Sequence, residues 1–244
     1  MSTTTLYRLS GLALMAALPL FLTGEFFHPP TEDVRYLVLP TYPLAHILDL
    51  AGFLLVVLAM PAFYARQAGR AGRLGFVGFV ITMLFLLGTA ELLMWEAFGA
   101  PRLASTSETS YLVIPTMPGS LAGGATSMMA NGALGVVGRF YVLGALSLLA
   151  PIVFGIATWR AHIYPRWVGI LQIAALAMIP IGGLIQTGLS KFGFFNADLS
   201  VIGLSYGTLL LAYAWGGYVL WRERQPSHAS ATATQRSPGE VVPA

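Results

Sequence analysis

The chain has no cysteine, and only 9% of its 244 residues are charged. The first absence excludes disulfides, thiolate metal sites and a cysteine nucleophile. The second sets the class. Soluble domains carry roughly 25% charged residues, whereas here 56% are hydrophobic and the mean hydropathy is +0.73. A formal charge of +3 is no argument for a nucleic-acid partner, because its meaning depends on where the arginines sit. Nothing alternates at period two as a barrel strand would. No Gly-rich phosphate loop follows a strand, since the Gly pairs beginning at Gly123, Gly182 and Gly216 fall in loop or helical sequence.

What the chain does have is six long apolar segments, roughly 9–27, 43–64, 74–98, 134–158, 167–189 and 199–221. About 20 residues at 1.5 Å each cross the ~30 Å hydrocarbon core. Backbone groups in lipid must bond internally, so the segments predict helices. The expected fold is an all-α membrane protein, a six-transmembrane-helix bundle in one domain (1–224) with a disordered tail (225–244). Pro19, Pro61, Pro151 and Pro180 are expected to interrupt or end helices. The first segment has Arg8 before an apolar run, as a secretory signal would, but the run continues to Phe27 and its end is echoed later.

Orientation follows from the arginines. With the N-terminus inside, nine arginines fall on the cytoplasmic side: Arg8, Arg66, Arg70, Arg73, Arg160, Arg166, Arg222, Arg224 and Arg236. Arg35, Arg102 and Lys191 fall outside, with Arg139 at the outer mouth of the fourth segment. That bias places both termini in the cytoplasm.

Two internal repeats point to successive hairpins. The outer loops share YLVLPTYP (Tyr36–Pro43) and YLVIPTMP (Tyr111–Pro118), preceded by EFFHPP from Glu25 and EAFGAP from Glu96. Odd segments begin with Arg and then Gly: RLSG at Arg8, RLG at Arg73, RWVG at Arg166. The Pro-flanked loops are expected as extended caps over the outer mouth. The Ser/Thr/Gly-rich stretch 103–132 has the length of a lid or a disordered loop.

The run LLAPIVFGIATWRAHIYPRWVGILQIA (Leu148–Ala174) joins a helix end, an arginine turn, Pro-Arg-Trp-x-Gly and the next helix. It resembles several families of uncharacterised bacterial six-helix membrane proteins. The resemblance covers about two helices and implies a fold without implying a chemistry.

The ionisable residues of the segments gather near one membrane face. Glu25 and His28 end the first segment there, and His46 and Asp49 begin the second, spaced i, i+3 on one helical face. Glu91 and Glu96 lie near the outer end of the third, Arg139 at the start of the fourth, Gln186 near the end of the fifth, and Asp198 before the sixth. Intramembrane charges are costly and generally mark sites. Glu91 sits about 7.5 Å deeper than Glu96, so Asp49 and Glu91 are expected to be the buried pair. Glu25, Glu96 and His28 are expected to be solvated at the headgroups. A carboxyl group at depth must pair with a cation or keep its proton, and Arg139 is expected to pair with Asp49 or Glu91.

Glu25, His28, His46 and Asp49 have metal-ligand chemistry, but no HExxH motif occurs and Glu25-x-x-His28 stands at a helix exit before Pro29. Neither a metal nor haem is expected, and no cofactor. His162 and His228 are expected to be solvated. Gly203-Leu-Ser-Tyr-Gly207 reads as close helix packing, and Trp95, Tyr111, Trp167, Tyr206 and Trp221 as an interfacial aromatic belt.

Three functions compete. The leading one is an outward-facing intramembrane cavity that binds or carries a small amphiphilic or cationic molecule, lined by Glu25, His46, Asp49, Glu91, Trp95, Arg139 and Gln186. Its weakness is the apparent lack of a cytoplasmic exit. The alternative is an intramembrane enzyme that protonates a lipophilic, terpenoid-like substrate. Glu91 or Glu96 would be its acid, Asp49 the stabiliser of a carbocation and Trp95 a π-face. The Trp95-Glu96 dipeptide is similar to one in small membrane-bound terpene cyclases. The third is a non-catalytic accessory subunit completed by another chain or a second copy. Membrane lipid is the expected surrounding in all three.

Overall fold

A computed structural model describes residues 2–28, 34–106, 134–189 and 197–222. Every regular element among them is helical: α1 (Thr3–Phe27), α2 (Val34–Leu37), α3 (Thr41–Met94), a π-helical turn (Trp95–Gly99), α4 (Ala100–Thr106), α5 (Leu134–Ala161), α6 (Arg166–Leu189) and α7 (Ala197–Trp221). Helix therefore covers all six apolar segments. Among the described residues, Thr3–Phe27 and Thr41–Arg102 are long and apolar enough to cross a membrane, which suggests insertion. The second copy of the loop repeat (Tyr111–Pro118), most of the 103–132 stretch and the tail lie outside the described residues.

Local chemistry explains where helices start and turn. Ser2 caps α1, its Oγ accepting the Thr5 N–H at 3.2 Å. The expected breaks at proline do not occur. Pro19, Pro61 and Pro151 all lie inside continuous helices, and Pro180 lies within the range of α6. Each removes one N–H, a loss that packed neighbours can offset.

The real break is at a glycine. α3 folds back at Gly72, whose φ of 57° and ψ of −153° suit only a residue without Cβ. Arg66 and Arg70 remain helical, so the reversal is far tighter than an arginine loop. Its two arms run antiparallel: Tyr64 stacks on Phe79 at 4.6 Å, and His46 meets Glu96 at 3.4 Å.

The first loop repeat is also not an extended cap. Tyr36 and Leu37 end the short helix α2, and Leu39 N–H and Tyr42 N–H close turns on the Tyr36 and Leu39 carbonyls. Turning lets Leu37 and Tyr42 bury against Ala100 of α4 while their backbone stays hydrogen-bonded.

Packing closes the helices into a ring. α1 lies against α3 and α7, α5 against α3 and α6, and α6 against α7. Glycines allow the closest approaches: a Cβ on Gly11 would collide with the Gly217 carbonyl, where α1 meets α7. On the first arm of α3, His46, Asp49, Phe53, Val56, Met60, Phe63 and Gln67 are all buried. Their 3-4-3-4-3-4 spacing is the seam that antiparallel helices pack on. The second arm answers with Gly75, Gly78, Thr82, Phe85, Thr89, Leu93 and, in the π-turn, Glu96. Between the seams sit aromatic rings, Phe53 at 5.6 Å and Phe85 at 6.0 Å from Tyr206, and Phe63 at 5.9 Å from Phe154. Polar groups are confined largely to the two ends of this apolar middle.

Candidate functional site

One end of the ring holds a cluster of titratable side chains from three elements. Glu25 comes from the last turn of α1, His46 and Asp49 from the start of α3, and Glu96 from the π-turn. Their exposures are 7%, 1%, 3% and 5%, so all four are interior groups. Among the described residues no Arg or Lys is buried with them.

Space for the carboxyl groups comes from glycine. A Cβ on Gly24 would collide with Asp49 Oδ1, and one on Gly203 would stand 3.0 Å from Glu25 Oε2. Gly203 of the GxxxG is thus the floor under a carboxylate, and the close packing it permits is what admits Glu25. Asp49 and Glu25 are near enough to repel. Asp49 Oδ1 is buried with no hydrogen-bond partner.

His46 has a defined tautomer. Its Nδ1 lies 2.8 Å from the Tyr42 carbonyl, which can only accept, so Nδ1 carries hydrogen. Nε2 then faces the Glu96 carboxyl, with Oε2 at 3.4 Å. The Tyr42 and His28 rings flank His46 at 4.3 and 5.0 Å and wall this side of the cluster. Tyr206 of α7 completes it from below, its phenol near Thr89, Glu96 and Glu25.

Depth along the chain misjudges the two glutamates of the third segment. Glu91 is on the exposed face of α3, whereas Glu96 is buried. Five residues rotate a helix by about 500°, leaving them some 140° apart, so only one can face inward. The π-turn that carries Glu96 is a local widening often found at functional positions. Glu25 is likewise interior, contrary to the expectation that it would be solvated, because Gly203 makes room for it. Trp95 is 38% exposed and its ring lies over Gly99, outside the cluster. Arg139 lies in α5 and Gln186 in α6, but their side chains, with that of Asp198, are outside the described residues. So is any pairing of Arg139 with Asp49.

The opposite, arginine-bearing end holds polar groups that the search for ionisable residues passed over. Gln67 Nε2 donates to Thr158 Oγ1 at 3.1 Å, while Gln67 Oε1 is buried without a partner. Gln172 is fully buried, and both atoms of its amide lack partners. Tyr164 stacks on Phe63 at 4.2 Å and donates its hydroxyl to the Phe63 carbonyl at 2.9 Å. Each unpaired buried polar group costs about 1–3 kcal/mol, so this end is polar at the expense of stability. Tyr206 also departs from the expected aromatic belt, standing among Phe21, Phe53 and Phe85. A spacing of seven was the legible signal: Thr82, Thr89 and Glu96 on one helix, Tyr206 and Tyr213 on another.

Among the described residues no three His, Asp or Glu side chains converge as metal ligands. Comparison with family models, with curated proteins and with solved structures finds no match to this chain.

Proposed function

We propose that this chain is a six-span membrane protein, both termini cytoplasmic, that binds and carries a small amphiphilic cation through a carboxyl-lined site opening to the outer face. Support for the spans comes from the helical ring over all six apolar segments and from large apolar side chains on its outside. Leu58, Phe76, Leu84 and Trp167 are all more than half exposed, as lipid-facing residues would be. Support for the orientation comes from the basic residues, nine arginines inside against Arg35, Arg102 and Lys191 outside.

One observation carries the ligand class. Glu25, Asp49 and Glu96 are buried together at one end of the ring, and Asp49 Oδ1 makes no hydrogen bond there. Three carboxyl groups in a dry interior need positive charge, supplied by protons, by the His46 ring or by a bound cation. The Tyr42, His28 and Tyr206 rings around them add faces that favour an apolar cation. The enzyme alternative loses parts of its machinery, since Glu91 and Trp95 both stand outside the cluster.

The test uses the full chain in nanodiscs with tetraphenylphosphonium as probe. Wild type should bind it saturably, and Asp49→Asn should weaken binding 10- to 100-fold, the loss of one charged contact of about 1.5–3 kcal/mol. In liposomes the wild type should also move the probe across the bilayer. Equal binding by wild type and Asp49→Asn would remove the proposal.

A further inference from the structure

One helical turn deeper than its carboxyl groups, the cluster has a floor of rings. Phe21 precedes Glu25 by four residues on α1, and Phe53 follows Asp49 by four on α3, so each ring lies about 6 Å below its carboxyl. Tyr206 of α7 joins the two, its ring centroid 6.3 Å from Phe21 and 5.6 Å from Phe53 at interplanar angles of 70° and 74°. Phe21 and Phe53 meet each other at 6.3 Å and 70°. All three pairs are edge to face, the arrangement that the charge distribution of aromatic rings favours.

The floor is not closed. Phe21 and Phe53 are buried, yet Tyr206, whose ring stands between them in the interior, is only half-buried. Gly203 and Gly207, which flank Tyr206 along α7, are half-buried as well. Among the described residues, a Cβ on Gly207 would meet only Phe21 Cε1, at 3.9 Å, and one on Gly203 only the Glu25 side chain. The GxxxG thus leaves a slot beside Tyr206 that runs from the Glu25 carboxyl down to Phe21. At the head of the slot the buried Asp49 carboxyl rests against Gly24, the residue before Glu25, and its Oδ1 lacks a hydrogen-bond partner.

We propose that the apolar part of the bound cation is an aryl ring seated on Tyr206, with its ammonium group held by Glu25 and Asp49. The ligand class is then an arylalkylammonium, and Tyr206 is the residue that selects the aryl part. This rests on the cation reading and names its ligand. Spacing and shape both argue for it. A propyl chain bridges the ~6 Å from carboxyl to ring, and a flat ring suits a slot floored by glycine backbone. An entering ring adds one more contact to a set already arranged edge to face, worth roughly two- to tenfold in affinity. A merely apolar slot would instead favour a saturated ring, which removes more apolar surface from water.

The experiment is calorimetric titration of the full-length protein in nanodiscs with two amines of equal charge and length, phenylpropylammonium and cyclohexylpropylammonium. Wild type should bind the phenyl compound about three- to tenfold more tightly than the cyclohexyl one. Tyr206→Leu should lose that preference while its affinity for the cyclohexyl amine stays within twofold of wild type, which also shows that the variant folds. Tyr206→Phe keeps the ring and should keep the preference. Asp49→Asn should weaken both amines alike. Equal or tighter binding of the cyclohexyl amine by wild type, or an unchanged preference in Tyr206→Leu, overturns the aryl assignment, and saturable tetraphenylphosphonium binding would then leave the cation reading standing. Binding of neither amine nor tetraphenylphosphonium by wild type removes that reading and the assignment with it.

Discussion

The two ends of the ring solve one problem in opposite ways. At the carboxyl end, buried ionisable groups are accommodated because glycines 24 and 203 give them room and His46 faces Glu96. At the arginine end, the interior polar groups are neutral amides and hydroxyls, and several stay unpaired. Buried ionisable side chains lie at one end, buried neutral amides and hydroxyls at the other, and aromatic rings between. The lesson is that a charged group and an unpaired neutral one impose different costs. On the proposed reading, losing the first should change what the molecule binds, and losing the second how stable it is.

The sharpest contrast is between Asp49→Asn and Gln172→Leu. The first should lose 10- to 100-fold in probe affinity with little change in thermal midpoint. The second should keep affinity and raise unfolding free energy by about 1–2 kcal/mol, because an unpaired amide is replaced by an apolar group of similar size. Denaturation in mild detergent alongside probe titration measures both. If Gln172→Leu destabilised the protein, the amide would have a partner and the contrast would collapse.

Glycine substitutions give the next largest effect. Gly11→Ala meets the Gly217 carbonyl and the Trp221 backbone nitrogen, and should cost about 1–3 kcal/mol of stability. Gly24→Ala meets the Asp49 carboxyl and, at 2.8 Å, the Ala45 backbone carbonyl, so it should cost about 1–3 kcal/mol as well and in addition lower probe binding about tenfold. Unchanged probe binding in Gly24→Ala would mean that the Asp49 carboxyl moves aside without leaving the site.

Smaller still, Tyr164→Phe removes one hydroxyl bond to the Phe63 carbonyl and should cost about 0.5–1.5 kcal/mol, leaving probe affinity intact. The smallest effect expected is that of Glu91→Gln, within twofold of wild type for binding, against a clear loss for Glu96→Gln. An equal loss from both would return Glu91 to the site.

Much of the architecture could be read from composition and periodicity. The six helical segments follow from apolar length, and the 3-4 spacing from His46 to Gln67 already traces the inward seam of α3. The gathering of Glu25, His46 and Asp49 at one end was legible, because consecutive helices that reverse direction bring those positions to one level. Glu91 and Glu96 were not separable by depth, since five residues shift both height and heading and only heading decides burial. Nor was Gly72 marked as the reversal among its neighbouring arginines, because a positive φ leaves no compositional trace beyond the glycine itself.

Sequence by itself determined that this chain is helical and too apolar for an ordinary soluble domain. It also determined that its acids cluster at one end, since length, hydropathy and spacing are local properties. Tertiary structure alone decided which acids face one another and which glycines yield space to them. It also decided that neutral amides lie buried and unpaired at the far end. Such choices depend on the rotation and approach of helices remote in the chain, and those are set by packing rather than by any single segment.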